Sequence, residues 1–177
     1  IVGYLAYEAG GRRAARVATG SWAAVGFAFA LYFCWRMWRS RLPVEINPLG
    51  AHELWSGGFY IDELSLFFAT AFSLLGFLAA VYSIKYMERD TGIVSYFTLL
   101  LTMVAGMVGV AFASDFVTLL VFWEMMCISS YALVTFRKER WEPVEAGFKY
   151  FVMSASGTAF ILLGMGILYG LTGTFTI

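Results

Sequence analysis

Asp115-Phe-Val-Thr-Leu-Leu-Val-Phe-Trp-Glu124-Met-Met-Cys-Ile-Ser-Ser-Tyr-Ala-Leu-Val134 is a run of apolar residues with one acid near its middle. A helix over Phe116 to Phe136 is long enough to cross a bilayer, which takes about 20 residues. Glu124 then lies roughly 12 Å from the nearer helix end at about 1.5 Å per residue, too deep for a glutamate stem to reach water. Its carboxyl must face protein or a hydrated cavity. Ionisable groups at such depth cost at least ~2.5 kcal/mol on insertion scales and usually mark ion or proton pathways. A glutamate that ties two helices together by hydrogen bonds is the competing reading.

The same length criterion applied outward from this span gives four others. They run from Val17 to Trp35, Leu64 to Ile84, Ile93 to Ala113, and from near Pro143 to Gly170. Only Ser114-Asp115 separates the third from the fourth, which forces an antiparallel pair. Pro143 suits a first helical turn because its missing N–H has no partner there in any case. Ile1 to Ala9 is apolar but too short to cross, and is expected to be the tail of a further span. The fold expected is an all-α, polytopic membrane protein of five complete transmembrane helices plus that tail. The link from Ser40 to Asp62, with Pro43, Pro48 and Gly57-Gly58, reads as a turn-rich excursion rather than another helix.

Composition agrees with a lipid environment. Of 177 residues, 60% are hydrophobic and 14% charged, against roughly 45–50% and 25% in soluble domains. Twelve basic residues balance twelve acidic ones, so the excess positive charge on which nucleic-acid binding depends is missing. Cys34 and Cys127 lie inside apolar runs and read as reduced packing residues. His52, alone in the long link, reads as a solvated loop residue. Nothing in the pattern suggests a metal, a cofactor or a catalytic nucleophile with its base.

Short loops rich in Lys and Arg stay cytoplasmic. One side receives Arg12, Arg13, Arg16, Lys85, Arg89, Arg137, Lys138 and Arg140, and the other Arg36, Arg39 and Arg41. Loops 10–16, 85–92 and 137–142 are therefore expected to be cytoplasmic, in the plasma membrane of a prokaryote. Trp35, Trp38 and Trp141 fall near expected membrane edges. Ala105, Gly109 and Ala113 on one helix, and Gly166 and Gly170 on another, have the spacing of ridges for close helix packing.

Lys149 lies about 9 Å inside the last span. Its stem can snorkel, and Glu145 one turn earlier can pair with it. The short loop from Arg137 to Glu142 makes the last two spans antiparallel, so Glu124 and Lys149 sit at depths about 10 Å apart. Ordered water between them is expected to be supported by Ser129, Ser130, Tyr131, Ser154 and Ser156. Such a carboxyl and amine exchange protons when a neighbouring charge changes.

The segment Asp115 to Val134, followed by Glu145-Ala-Gly-Phe-Lys149-Tyr-Phe-Val-Met-Ser-Ala-Ser-Gly157 and Leu168-Tyr-Gly-Leu-Thr-Gly-Thr174, resembles the antiporter-like subunits of respiratory complex I, Mrp sodium/proton antiporters and energy-converting membrane-bound hydrogenases. Phe59-Tyr-Ile-Asp62-Glu-Leu-Ser-Leu66, Tyr82-Ser-Ile-Lys-Tyr86 and Gly10-Gly-Arg-Arg-Ala-Ala-Arg16 extend the likeness upstream. The resemblance implies that Glu124 and Lys149 are the first two members of a buried proton-transfer chain. It also implies partners, namely other membrane subunits of a respiratory or antiporter complex whose redox chemistry belongs elsewhere, with protons or sodium as the transported ions. By the same likeness, residues 1–92 correspond to the N-terminal helices and 93–177 to the start of the ion-translocating repeat. The family's chains continue through two inverted repeats, so the sequence is expected to be their N-terminal part. A non-conducting subunit that keeps the fold as an interaction surface is the alternative, and an independent small transporter or quinone enzyme is a third reading.

Overall fold

The computed structural model describes residues 20–21, 23–39, 43–46, 58–87, 92–137 and 139–177. The expected tail at 1–9, the basic link 10–16, the start of the first span at Val17, His52, residues 88–91 of loop 85–92, and Lys138 lie outside the described residues. Five helices carry the fold: α1 (Ala23–Trp38), α2 (Glu63–Tyr86), α3 (Ile93–Phe112), α4 (Phe116–Val134) and α5 (Trp141–Thr172). The last four are each long and apolar enough to cross a membrane, and the chain is a multi-pass membrane protein. At 32 residues α5 is about 48 Å long, well beyond a hydrocarbon core of about 30 Å, so it tilts or projects.

The long link holds more order than its turn residues suggest. Strand β1 (Val44–Ile46) pairs antiparallel with β2 (Phe59–Ile61), Val44 opposite Ile61 and Ile46 opposite Phe59. Ile61 is buried with Cys34, Leu66 and Ala69 in a cluster at this end of the bundle. Asp62 then caps α2: its carboxylate accepts from the Ser65 N–H at 2.7 Å, and Ser65 Oγ accepts from the Asp62 N–H at 2.9 Å. The hydrogen bonds from the Ser65 backbone and side chain hold the Asp62 carboxyl below its ordinary range, because they favour the ionised form.

Asp115 fastens the same end. It caps α4, accepting from the Thr118 N–H at 2.7 Å and the Thr118 hydroxyl at 2.8 Å, and it also accepts from the Gly58 N–H at 3.1 Å. Ser114 N–H donates to the Gly58 carbonyl, and Ile177 N–H to the Ser114 carbonyl. The α3–α4 junction thus joins the strand pair to the residues after α5. With three donors, the 1% exposed Asp115 carboxylate is satisfied where water is excluded, as buried polar groups must be.

A second cluster, Ala23, Phe27, Ala80, Phe97, Leu100 and Val104, joins α1, α2 and α3. Outside these clusters large apolar side chains such as Leu75, Phe148, Phe160 and Leu171 are exposed, the arrangement lipid favours. Helix association in lipid depends on close van der Waals packing, and α3 meets α4 through two glycines. A Cβ on Gly106 would lie 2.8 Å from the Met126 backbone nitrogen, and one on Gly109 would strike the Phe122 ring. This corrects the expected ridge of Ala105, Gly109 and Ala113. Ala105 is exposed and Ala113 is already extended beyond the helix, because the face toward α4 follows the i, i+3 row. Gly166 and Gly170 meet open space, so that pair is no ridge among the described residues. Cys34 and Cys127 are free and buried, as expected.

Candidate functional site

α4 and α5 pack antiparallel, as the short loop between them dictates. Gly147 abuts the Thr135 side chain. One turn deeper, the Tyr131 ring meets Phe151 edge-on with centroids 5.4 Å apart. Nearer the middle of both helices, Thr158 Oγ1 donates to Glu124 Oε1 at 2.6 Å. Residue numbers across this interface sum to about 282 throughout, which is one continuous register. Glu124 is therefore held at mid-span by a hydroxyl from the neighbouring helix. Its other side borders a groove of about 440 Å³ shared with Thr102, Leu120, Ile128 and Ser129.

Lys149 is placed elsewhere. Its Nζ lies 2.6 Å from Glu145 Oε1, and the two side chains are 69% and 47% exposed. Nine residues separate Lys149 from Thr158 along α5, about 13 Å. The structure thus brings Glu124 to Thr158 and Lys149 to Glu145, and does not bring Glu124 and Lys149 together.

The supporting groups divide by helix face. Ser130 donates to the Cys127 carbonyl at 2.7 Å and lies 3.0 Å from the Tyr150 hydroxyl. Tyr131 stacks edge-on against Tyr150 as well as Phe151. Both belong to the α4–α5 interface. Ser154 is half-buried on α5, one turn from Tyr150 and one turn from Thr158, and residues at i, i+4 and i+8 share a face. Ser129 donates to the Met125 carbonyl and opens onto the groove beside Glu124. Ser156 is exposed and donates to Val152, which removes it from the interface because it stands about half a helical turn away from Ser154.

Thr158 and Tyr150 were not anticipated from sequence. A threonine in an apolar span reads as packing, and only the register reveals its partner. Once Thr135 and Gly147 are placed opposite, counting inward puts 158 against 124. Among the described residues no three His, Cys, Asp or Glu side chains converge as a metal site. What the interface offers is a row of hydroxyls, Thr158, Ser154, then Tyr150 with Ser130, between a mid-span carboxyl and an ammonium near the helix end. Successive α5 positions in this row are about 6 Å apart along the helix axis.

Comparison with known proteins agrees with this architecture. Residues 113–177 match the family model described as NADH:quinone oxidoreductase/Mrp antiporter, TM, and residues 55–97 match that of the NADH-Ubiquinone oxidoreductase (complex I), chain 5 N-terminus. F(420)H(2) dehydrogenase subunit N of Methanosarcina mazei is 33% identical over 126 residues, covering 71% of this chain and 26% of that protein. NAD(P)H-quinone oxidoreductase subunit 2 of Trichormus variabilis is 34% identical over 145 residues, covering 81% of this chain and 26% of that protein. Among solved structures, an archaeal membrane-bound sulfane sulfur reductase superposes with a TM-score of 0.79 at 27% identity over 89% of this chain and 33% of its own. Respiratory complex I from Thermus thermophilus with bound aureothin superposes with a TM-score of 0.75 at 25% identity, over 91% and 33%. The chain spans about a quarter of the length of the curated relatives it matches. With both family models matched and the helical frame shared, the chain belongs to the family of antiporter-like membrane subunits of complex I, Mrp antiporters and membrane-bound hydrogenases.

Proposed function

We propose that this chain takes part in proton or sodium/proton translocation within a multi-subunit membrane respiratory complex, with Glu124 as its mid-membrane proton-binding group. The observation that carries the reading is the Glu124–Thr158 hydrogen bond. It holds an ionisable group in an apolar span beside a hydroxyl that can accept or return a proton. Lys149 is the second charged group of the relay, reached through Ser154 and the Ser130–Tyr150 pair by way of ordered water. Residues 93–177 belong to the ion-translocating repeat and residues 1–92 to the helices that precede it. Other membrane subunits and lipid cover the exposed apolar faces. The larger share of Lys and Arg in loops 10–16, 85–92 and 137–142 supports a cytoplasmic side for these loops, in the plasma membrane of a prokaryote.

A second reading, a non-conducting subunit, draws on the same bond. Thr158 on Glu124 ties α4 to α5, and Lys149 already has Glu145 as a partner. Glu124→Gln in the parent complex separates the two, because an amide oxygen still accepts from Thr158 but carries no proton load. Under the relay, sealed vesicles lose a measurable share of the ions moved per electron while native gels show full assembly. Under the structural reading, ion movement per electron stays at the wild-type value.

A further inference from the structure

α5 overruns the start of α4. On the register that sets Thr158 against Glu124, Phe116 falls level with Gly166, and α5 continues to Thr172, about 9 Å further on. There the chain turns back. Gly173 takes the left-handed conformation at φ 73°, its N–H bonded to the Tyr169 carbonyl at 2.8 Å, a backbone geometry that glycine adopts without strain. Residues 174–177 then return to the α3–α4 junction. Phe116 N–H donates to the Phe175 carbonyl at 2.9 Å and Ile177 N–H to the Ser114 carbonyl at 3.1 Å, and Thr176 bridges antiparallel to Asp115. The Tyr169 and Phe175 rings close the turn, stacked with centroids 4.5 Å apart and 13° from parallel.

This strap does for α5 what its packing does not. Gly147 and Met165 are the buried residues of the helix, and a methyl group on Gly157, Gly164, Gly166 or Gly170 would meet open space. Helices in a membrane lack a hydrophobic drive toward one another, so so sparse a contact specifies register weakly. The strap supplies a fixed point. Phe116 N–H belongs to the first turn of α4, whose donors have no partner inside the helix, and the junction before it is fastened to Gly58 through Asp115. A slip of α5 by one turn, about 5.4 Å, breaks both strap hydrogen bonds together with the Thr158–Glu124 bond. Gly147 against Thr135 fixes the other end, and Glu124 and Thr158 lie between the two anchors.

We propose that the strap 173–177, closed by the Tyr169–Phe175 stack, is a positioning device for Glu124, holding α5 in the register that keeps Thr158 on the carboxyl. Its bearing on translocation rests on Glu124 being the proton-binding group. Tyr169 stands eleven residues, about 16 Å, from Thr158, so it acts through the helix and not by contact.

The test reads the carboxyl itself. The Glu124 C=O band is the one that Glu124→Gln removes from acid-minus-alkaline infrared difference spectra of the resting parent complex. A hydrogen bond to that group lowers its frequency, so Thr158→Val moves the band up. Tyr169→Ala is expected to move it the same way, and Tyr169→Phe, which keeps the ring, to leave it at the wild-type position. Tyr169→Ala combined with Thr158→Val is expected to move it no further than Thr158→Val alone, since residues that act through one bond are not additive. Should Tyr169→Ala fail to assemble on native gels, Phe175→Leu keeps apolar bulk, loses the stack and is read in the same way. A band at the wild-type position in the variant without the stack, or a double variant shifted by the sum of the two single shifts, would overturn the proposal. Because these spectra are taken at rest, a missing Glu124 band during turnover counts against the relay and leaves the strap standing.

Discussion

Thr158 donates its hydroxyl hydrogen to the Glu124 carboxylate at 2.6 Å, joining α5 to α4 near the middle of both helices. Thr158→Val keeps the shape and removes the donor. We expect a loss of about 1–2 kcal/mol in helix-pair stability, since bonds to charged groups contribute about 1.5–3 kcal/mol in soluble proteins and less on average in membranes. Thr158→Ser restores most of it. Detergent unfolding of the two variants, followed by circular dichroism, checks the order.

Lys149 offers the opposite combination. Its pair with Glu145 is solvent- or headgroup-exposed, and exposed i, i+4 pairs contribute only about 0.3–0.5 kcal/mol. Lys149→Gln is expected to leave unfolding nearly unchanged while lowering ions moved per electron in vesicles. If translocation is unaffected, the lysine has no part in the relay.

The α3–α4 contact makes a steric prediction. A methyl group at Gly106 meets the Met126 backbone at 2.8 Å, and backbone in a packed helix cannot swing aside. Gly106→Ala is expected to cost about 1–3 kcal/mol, the range for overpacking. Gly164→Ala, where a methyl meets open space, is expected to be neutral or slightly stabilising in this chain. Parallel thermal unfolding of the two variants measures the difference.

Asp115→Ala removes the cap of α4 and the acceptor of the Gly58 N–H together. Loss of a cap costs about 1 kcal/mol, and a buried donor left unpaired adds about 1–3 kcal/mol. Hydrogen exchange is expected to rise at Gly58 and Thr118 first, and Asp115→Asn to retain part of the protection.

These contacts differ in how far the sequence discloses them. Spans expected over Leu64 to Ile84, Ile93 to Ala113, Phe116 to Phe136 and Pro143 to Gly170 are found as Glu63–Tyr86, Ile93–Phe112, Phe116–Val134 and Trp141–Thr172, because length and apolarity alone define a span. Glu124 stands out for the same reason, as a charge where lipid should be. Asp115 reads as a turn residue until Gly58 is brought to it from far upstream. Thr158 is polar enough to bond a carboxylate but not to disturb an apolar window, so its role depends on the register. Gly106 and Gly109 were partly hidden because an i, i+4 pattern through Ala105 competes with the i, i+3 row that α4 covers.

The central claim is that Glu124 changes protonation as the complex works. Infrared difference spectra of the parent complex, resting against turning over, read this in the carboxylic acid C=O stretching region. The expected result is a turnover-dependent band in the wild type that is absent in Glu124→Gln and shifted in Thr158→Val. A spectrum identical in wild type and Glu124→Gln would contradict it.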